Sequence, residues 1–285
     1  MTATGSFLVI LGIAQDAGHP QVGCTASCCE SAWADPSLRH LPTSVAIVDG
    51  GRRWLLDATP ALPEQVHRLD LAAPRAPGQP ALDGVLLTHA HMGHYTGLVH
   101  LGREGLGMDR VPIYAMPRMA QMLVTAAPWE LLFRADHARL VDASRPFVLG
   151  SVEVSTVLVP HRDEYSETVA YRLKGPTQTV LYLPDLDSWD DADLDALFDG
   201  VDVALVDGTF FRDGELVGRD MSQVPHPRVV DTMARFARWP AERRAGLHFI
   251  HLNHTNPLLD PQSPAAVAVR TAGYAIASEG QIIPL

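Results

Sequence analysis

Short apolar runs, separated by clusters of Gly, Pro and Asp, recur along the chain and predict a series of buried strands. The first run covers residues 7–11 and leads into residues 12–23, which are rich in turn-forming residues. Asp49, Gly50 and Gly51 separate the next two runs, a spacing that is typical of a β-hairpin. The predicted strands lie at 7–11, 44–48, 53–57, 84–88, 111–115, 152–159, 168–173, 179–183, 201–206 and 247–252, with a strand pair at the C-terminal end.

Apolar residues spaced three and four apart predict helices between and after these strands, at 62–69, 95–106, 117–126, 189–198, 226–238 and 265–271. Pro117 suits the first turn of its helix, and Ser188 suits the N-cap of the helix that follows it. Pro and Gly predict a loop at 75–83. Because no linker separates independent units, the pattern predicts one domain over residues 1–285, built from stacked layers of the α/β or α+β class.

Three histidines, His89, His91 and His94, follow the predicted strand 84–88 directly. Two residues that are two apart point the same way from an extended segment, and the third returns toward them as the chain turns. Neutral imidazole is a good ligand for zinc, iron and manganese. The spacing therefore predicts a metal site, with three unrelated surface histidines as the competing interpretation.

The segment from Leu86 to Gly97 resembles the His-x-His-x-Asp-His motif of the metallo-β-lactamase superfamily. The resemblance implies the four-layer αββα sandwich of that superfamily, an α+β fold with a metal site at one edge between its two sheets. The chain departs from the motif at Gly93, where the family has the Asp that binds a second metal. This departure leaves open whether one or two ions bind, and which group handles a proton.

The superfamily completes its site with a histidine, a bridging aspartate and a last histidine, each at a strand end. The matching residues in this chain are His161, Asp185 and His251. Asp57, at the end of another predicted strand, either orients a ligand histidine or caps a turn. The resemblance implies two sets of ligands: His89, His91 and His161 for one ion, and Asp185, His94 and His251, which hold the other ion or shape its place.

All three cysteines of the chain, Cys24, Cys28 and Cys29, lie within a turn-rich segment. Three thiolates at this spacing predict a structural zinc site, for which His254 is the expected fourth ligand. Some branches of the superfamily have a similar site, built from a Cys-x-Cys-x-x-Cys loop and a late histidine. Whether both adjacent cysteines ligate stays open, and the competing interpretation is that they pack as small apolar groups.

Four further segments resemble the pyrroloquinoline quinone biosynthesis protein B group of the superfamily; they cover residues 11–21, 205–210, 218–221 and 251–260. Members of that group lack a complete set of motif histidines, so this chain resembles a cousin with a fuller metal set. The cyclic phosphodiester hydrolases of the superfamily have both a two-metal site and a late histidine of the His254 kind. The chain therefore resembles both groups.

The resemblance implies a hydrolase in which metal-bound hydroxide attacks a phosphodiester, lactone or ester of a small molecule, with one or two zinc, manganese or iron ions at the histidine site. Asp185 is expected to position the nucleophile, and Asp207 lies in a loop near the pocket. His226 either donates a proton to the leaving group or caps the next helix.

Two alternatives stay open: an iron-dependent oxygenase or hydroxylase of pyrroloquinoline quinone-type cofactor biosynthesis, and a non-catalytic metal-binding carrier. Three residues are expected to line the pocket: Tyr95, Arg103 and Tyr165.

The composition and charge of the chain limit the kinds of partner that we expect it to bind. Its 285 residues are 47% hydrophobic, enough for a sizeable core. A net charge of −11 without a Lys/Arg-rich cluster disfavours nucleic acid as a partner. No apolar run reaches the length of about 20 residues that a membrane span requires, and no basic segment precedes residues 7–11 as in a signal peptide. We therefore expect a cytoplasmic protein with a small-molecule substrate and no membrane partner, and a homodimer stays open.

Overall fold

The computed structural model describes residues 5–216 and 218–285 and contains two sheets of seven strands each within these ranges. The strands, in chain order, are β1 (Phe7–Gly12), β2 (Ser44–Asp49), β3 (Arg52–Leu56), β4 (Gly84–Leu86), β5 (Val111–Ala115), β6 (Ala138–Asp142), β7 (Phe147–Leu149), β8 (Val152–Leu158), β9 (Val169–Lys174), β10 (Thr179–Leu183), β11 (Val203–Asp207), β12 (Leu247–Ile250), β13 (Ala275–Ile276) and β14 (Ile282–Pro284).

The helices flank these sheets. They are α1 (Ser27–Ala34), α2 (Leu62–Ala72), α3 (Met92–Tyr95), α4 (Pro117–Thr125), α5 (Glu130–Arg134), α6 (Leu194–Phe198), α7 (Val229–Arg235), α8 (Ala241–Ala245) and α9 (Pro264–Thr271). Short 3₁₀ helices cover Pro36–Leu38, Thr96–Leu101, Met221–Gln223 and Pro257–Leu259. Among the described residues, no helix combines the length and the apolar character needed to cross a membrane.

Each sheet has an antiparallel half and a parallel half. The first has the order β14-β1-β2-β3-β4-β5-β6, with parallel pairing from β3 to β6. The second has the order β13-β12-β11-β10-β9-β8-β7, with parallel pairing from β10 to β13. Because parallel strands end at the same edge of a sheet, the residues that follow β3, β4, β10, β11 and β12 can meet there.

Side chains that alternate along the strands separate the core into layers. On β1, Leu8 and Ile10 face the second sheet, whereas Val9 and Leu11 face the helices that cover the first sheet. α2, α4 and α5 pack on the outer face of the first sheet, and residues of α6, α7 and α9 pack against the second. The result is four layers in the order helices, sheet, sheet, helices.

The segment after the histidine motif differs from the predicted helix at 95–106. The helix begins earlier, as the single turn of α3, and continues only as the 3₁₀ helix Thr96–Leu101. Gly97 causes the change: its amide donates to the Ala58 carbonyl oxygen at 2.8 Å, and a Cβ at this position would overlap the Thr59 carbonyl oxygen. The chain at Gly97 therefore packs closely against the residues that follow β3. This contact holds α3 at the edge of the sheet.

Other boundaries also differ from the predictions. α6 begins only after Asp193, whose side chain accepts a hydrogen bond from the Ala196 amide, and Ser188 instead closes a separate turn. α7 is shorter than the predicted helix at 226–238. The C-terminal strands do not pair with each other: β13 joins β12, and β14 joins β1. The prediction also missed β6, β7 and α1, and α1 contains Cys28 and Cys29.

Candidate metal centre

The strand ends bring the predicted metal ligands together at one edge of the two sheets. His89 and His91 lie between β4 and α3, and His94 lies on α3. Asp185 follows β10, and His251 follows β12. His161 comes from the segment after β8, so both sheets contribute to the site.

His89, His91 and His161 form the first group. Their ligand atoms all lie within 4.8 Å of one another, and His161 Nε2 is 3.1 Å from His91 Nδ1. His89 and His161 are buried, whereas His91 is partly exposed and its Nε2 lies 3.5 Å from Glu164 Oε2. Burial lowers the pKa of His89 well below its ordinary value, so that its imidazole is neutral and can act as a ligand.

Asp185 lies between this group and a second one. Its Oδ2 is 3.1 Å from His94 Nε2, 3.5 Å from His251 Nε2 and 4.0 Å from His89 Nε2. Its Oδ1 is 3.6 Å from His161 Nε2. Burial acts to raise the pKa of the Asp185 carboxyl, but His251 and His94 outweigh burial and hold that pKa well below its usual range. Asp185 is therefore an ionised carboxylate that contacts both groups.

Hydrogen bonds at Nδ1 orient four of the imidazoles and leave their Nε2 atoms facing inward, an arrangement common among metal-binding histidines. His91 is the exception, because its Nδ1 faces His161 and its Nε2 faces Glu164. The Nδ1 partners are Thr88 Oγ1 for His89 at 2.9 Å, Asp57 Oδ2 for His94 at 2.9 Å, Asp187 Oδ1 for His161 at 2.7 Å and Thr209 Oγ1 for His251 at 3.0 Å. Thr88, Asp187 and Thr209 were not among the predicted site residues.

Asp57 orients His94 in this structure rather than serving only as a turn cap. Its buried carboxylate also accepts hydrogen bonds from the Thr88 amide at 2.9 Å and from the Tyr182 hydroxyl at 3.1 Å. Asp57 and His251 have φ angles of 63° and 64°, the left-handed region that non-glycine residues rarely adopt. Such backbone strain is concentrated at functional sites, where the surrounding contacts maintain it.

The donor set fits a metal ion. Within residues 5–216 and 218–285, the buried side-chain atoms His89 Nε2 and Asp185 Oδ2 have no hydrogen-bond partner. Buried polar atoms in native proteins are almost always satisfied, so atoms of this kind indicate a ligand. Imidazole nitrogen together with carboxylate oxygen suits zinc, manganese and iron.

Asp16 belongs to the same site, although sequence reasoning missed it. Its Oδ1 lies 3.1 Å from His94 Nε2 and 3.3 Å from His251 Nε2, and the ligand atoms of these three residues lie within 4.8 Å of one another. The sequence does contain two signals for this contact. Gly93 leaves the motif without its aspartate, and Asp16 is the one acidic residue in the turn-rich segment 12–23.

Asp207 and His226, predicted to be catalytic, form a buried pair beside Asp185. His226 Nδ1 lies 2.7 Å from Asp207 Oδ2. Asp207 is the last residue of β11 rather than a loop residue, and it also accepts hydrogen bonds from the amides of Leu186 and Thr209, each at 2.9 Å. His226 Nε2 has no hydrogen-bond partner among the described residues.

Two of the predicted pocket-lining residues lie away from this buried group. Tyr95 packs against Trp129 in the core beneath the helices of the first sheet, with ring centroids 5.2 Å apart. Arg103 is exposed beyond the 3₁₀ helix Thr96–Leu101. Tyr165 is exposed and follows Glu164, which contacts His91 at the rim of the site. The structure therefore places Tyr95 in the core and Arg103 away from the site, whereas Tyr165 lies next to its rim.

The cysteines and His254 form a separate group of potential ligands. Cys28 Sγ lies 3.7 Å from Cys24 Sγ and 4.0 Å from Cys29 Sγ. His254 Nδ1 lies 3.6 Å from Cys28 Sγ and 3.3 Å from Cys29 Sγ. Both adjacent cysteines thus point to the same place, because α1 begins at Ser27 and turns their side chains toward His254. Burial raises the pKa of Cys29 to about 12, so metal binding would have to displace its proton.

A family model described as "Beta-lactamase superfamily domain" matches residues 52–249 of the chain. The chain belongs to the metallo-β-lactamase superfamily. Within it, "Coenzyme PQQ synthesis protein B" of Xanthomonas campestris pv. campestris (strain B100) is 30% identical, over 98% of this chain and 99% of that protein. The corresponding protein of Klebsiella pneumoniae (strain 342) is 29% identical over 98% of each chain. This chain is therefore a PqqB-like member of the superfamily along its whole length.

Solved structures confirm the fold of this PqqB-like chain. Zn²⁺-bound PqqB from Methylobacterium extorquens superimposes with a TM-score of 0.82 at 24% identity, covering 98% of this chain and 100% of the other. A diphosphatase from the PhnP family gives a TM-score of 0.69, also at 24% identity, covering 98% and 97%. The α+β sandwich predicted from the resemblance is therefore confirmed.

If the cysteine group holds a metal ion, His254→Ala and Cys24→Ser should each remove one ion per chain and lower the melting temperature of this PqqB-like protein. Loss of one ligand from a closed four-ligand site removes most of its affinity. Elemental analysis after gel filtration measures the ion, and Ser31→Ala on the exposed face of α1 is the control. An unchanged ion count in both variants would show that the cysteines only pack together.

Proposed function

We propose that this chain is a metal-dependent hydrolase that acts on a phosphodiester, lactone or ester of a small molecule. The observation that carries the proposal is the position of the buried Asp185 carboxylate between two groups of imidazoles. A metal ion bound to these groups would supply Lewis acidity, lowering the pKa of a water molecule and polarising the substrate oxygen. Zinc, manganese and iron all suit the donor set.

The residues of the chain have distinct parts in this proposal. His89, His91 and His161 hold one ion, and Asp185, His94 and His251 contribute to the place of another. Asp185 also orients the attacking water, because its two oxygens face both groups. Asp57 keeps the His94 ring in place through the 2.9 Å contact with Nδ1.

The His226–Asp207 pair supplies a proton to the leaving group. His226 is buried next to Asp185, its Nδ1 is held by Asp207, and its Nε2 has no hydrogen-bond partner among the described residues. Burial acts to lower the pKa of His226, but the Asp207 carboxylate outweighs burial, and the pKa is raised above the ordinary value. A raised pKa keeps the imidazolium available as an acid at neutral pH.

We assign zinc to the cysteine group, because three thiols and one imidazole match a structural zinc site. The Zn²⁺-bound state of the PqqB structure from Methylobacterium extorquens supports zinc in this fold. The fold is also that of the PhnP-family diphosphatase, and this likeness is compatible with a hydrolytic reaction.

An oxidative function is the second candidate. Its support is the name of the relatives at 28–30% identity, coenzyme PQQ synthesis protein B, whose whole length the chain matches. In that case, iron would occupy the histidine site and the reaction would consume oxygen during synthesis of a quinone cofactor. A non-catalytic carrier is less well supported, because a carrier has no need of the buried His226–Asp207 pair.

The hydrolase proposal predicts turnover of at least one member of a panel of phosphodiesters, lactones and esters, with loss of that turnover in His89→Ala. Removal of this imidazole takes away a buried ligand atom of the first group. Product release is measured with zinc-, manganese- and iron-loaded protein. The matched control is His67→Ala, which changes an exposed histidine of α2. Full activity of His89→Ala would contradict the site assignment, and oxygen uptake by iron-loaded protein without hydrolysis would favour the oxidative candidate.

The proton-donor role of His226 predicts a dependence on pH and on the leaving group. The protonated form exists below the raised pKa of His226, so kcat should fall as the pH rises through that pKa. His226→Gln should remove this alkaline limb and slow substrates with alkoxide leaving groups by about 100-fold or more. Nitrophenolate leaving groups, which need no proton, should be nearly unaffected. Equal losses for both kinds of substrate would show that His226 only supports the structure.

A further inference from the structure

The place of the missing motif aspartate is filled from another part of the chain. Gly93 replaces that aspartate in sequence, yet a Cβ built on Gly93 would overlap the carboxylate of Asp16. The Asp16 carboxylate thus occupies the volume next to His94 that a side chain at position 93 would need. Only glycine at this position leaves room for it.

Backbone pairing fixes Asp16 beside His251. The Gln15 amide donates to the Leu252 carbonyl oxygen at 2.8 Å, and the Leu252 amide donates to the Ile13 carbonyl oxygen at 2.8 Å. The side chains of Gln15 and Asn253 are also hydrogen-bonded to each other. Asp16 and His251 are therefore neighbours on two paired segments, and their contact does not depend on a flexible side chain alone.

The carboxylate oxygens that surround His94 Nε2 favour the binding of a cation. Asp57 is a carboxylate that only accepts hydrogen bonds, so its 2.9 Å contact places a proton on His94 Nδ1. The Nε2 atom of the same ring then faces Asp16 Oδ1 and Asp185 Oδ2, each 3.1 Å away. Two buried carboxylate oxygens beside one imidazole nitrogen are unfavourable unless a positive charge lies among them, and a metal ion at this place would supply that charge.

We propose that Asp16 is a metal ligand that replaces the missing aspartate of the motif, and that a second ion binds to Asp16, Asp185, His94 and His251. The proposal rests on the metal site of the proposed function and not on hydrolysis. One oxygen of Asp16 faces both imidazoles, at 3.1 Å and 3.3 Å, as a ligand of a shared ion would. The carboxylate ligand therefore comes from the segment after β1 instead of from the motif.

Metal stoichiometry and affinity test this proposal without any substrate. Protein without a metal-binding tag is equilibrated with Zn²⁺ or Mn²⁺ against a competing chelator, and the ions per chain are counted by elemental analysis. Wild type should hold two ions at the histidine site. Asp16→Asn, which keeps the shape but removes the charge, should weaken one of them by about tenfold or more. Asp35→Asn, at an exposed turn, is the matched control.

A swap of the two positions makes the test specific. The double variant Asp16→Gly/Gly93→Asp returns the carboxylate to the motif and should regain the second ion, whereas Asp16→Gly alone should lack it. The melting temperature of each variant reports whether it is folded. Undiminished affinity in Asp16→Asn would overturn the proposal, as would a single ion at the histidine site of wild type; in both cases Asp16 would simply pair with a protonated His94. Two ions without hydrolysis would instead contradict only the proposed hydrolytic function.

Discussion

A buried carboxylate surrounded by imidazoles is the constraint on which the rest of this structure depends. Asp185 is 3% exposed and lies within 4.0 Å of four histidine Nε2 atoms. Burying an ionised group is costly unless opposite charge and hydrogen bonds compensate it. The chain meets this requirement by ending strands of both sheets at one edge and by fixing each surrounding ring through Nδ1. The position of the site and the burial of Asp185 therefore both follow from this arrangement of strand ends and fixed histidine rings.

The two groups of potential ligands are mechanically connected. The segment after β1 contains Asp16 and then the cysteines, and the segment after β12 contains His251 and then His254. Contacts between these segments occur at both places: Asp16 with His251, and Cys28 and Cys29 with His254. The cysteine group therefore anchors the same pair of segments that forms one side of the histidine site. Only a few residues of backbone separate the cysteine group from the histidine site on each of these two segments.

Local spacing explains which parts of the site could be predicted. His89, His91 and His94 lie within six residues, and His161, Asp185 and His251 follow strands whose apolar runs are visible in the sequence. Asp16 could not be found in this way, because its contact with His94 spans 78 positions and depends on the packing of β1 beside the second sheet. Short, partly exposed strands such as β7 were missed because they lack a buried apolar run. The helix after the motif is shorter than its apolar spacing predicts, since Gly97 packs closely against the backbone of Ala58 and Thr59.

The most direct test of this account is to locate the ions in crystals of the protein. Diffraction data collected above and below the absorption edge of each metal give anomalous difference maps that show every bound ion. Besides a peak at the cysteines, we expect two peaks that flank the Asp185 carboxylate, one beside His89, His91 and His161 and the other beside Asp16, His94 and His251. A single peak at the histidine site, or two peaks there that do not flank Asp185, would contradict this arrangement.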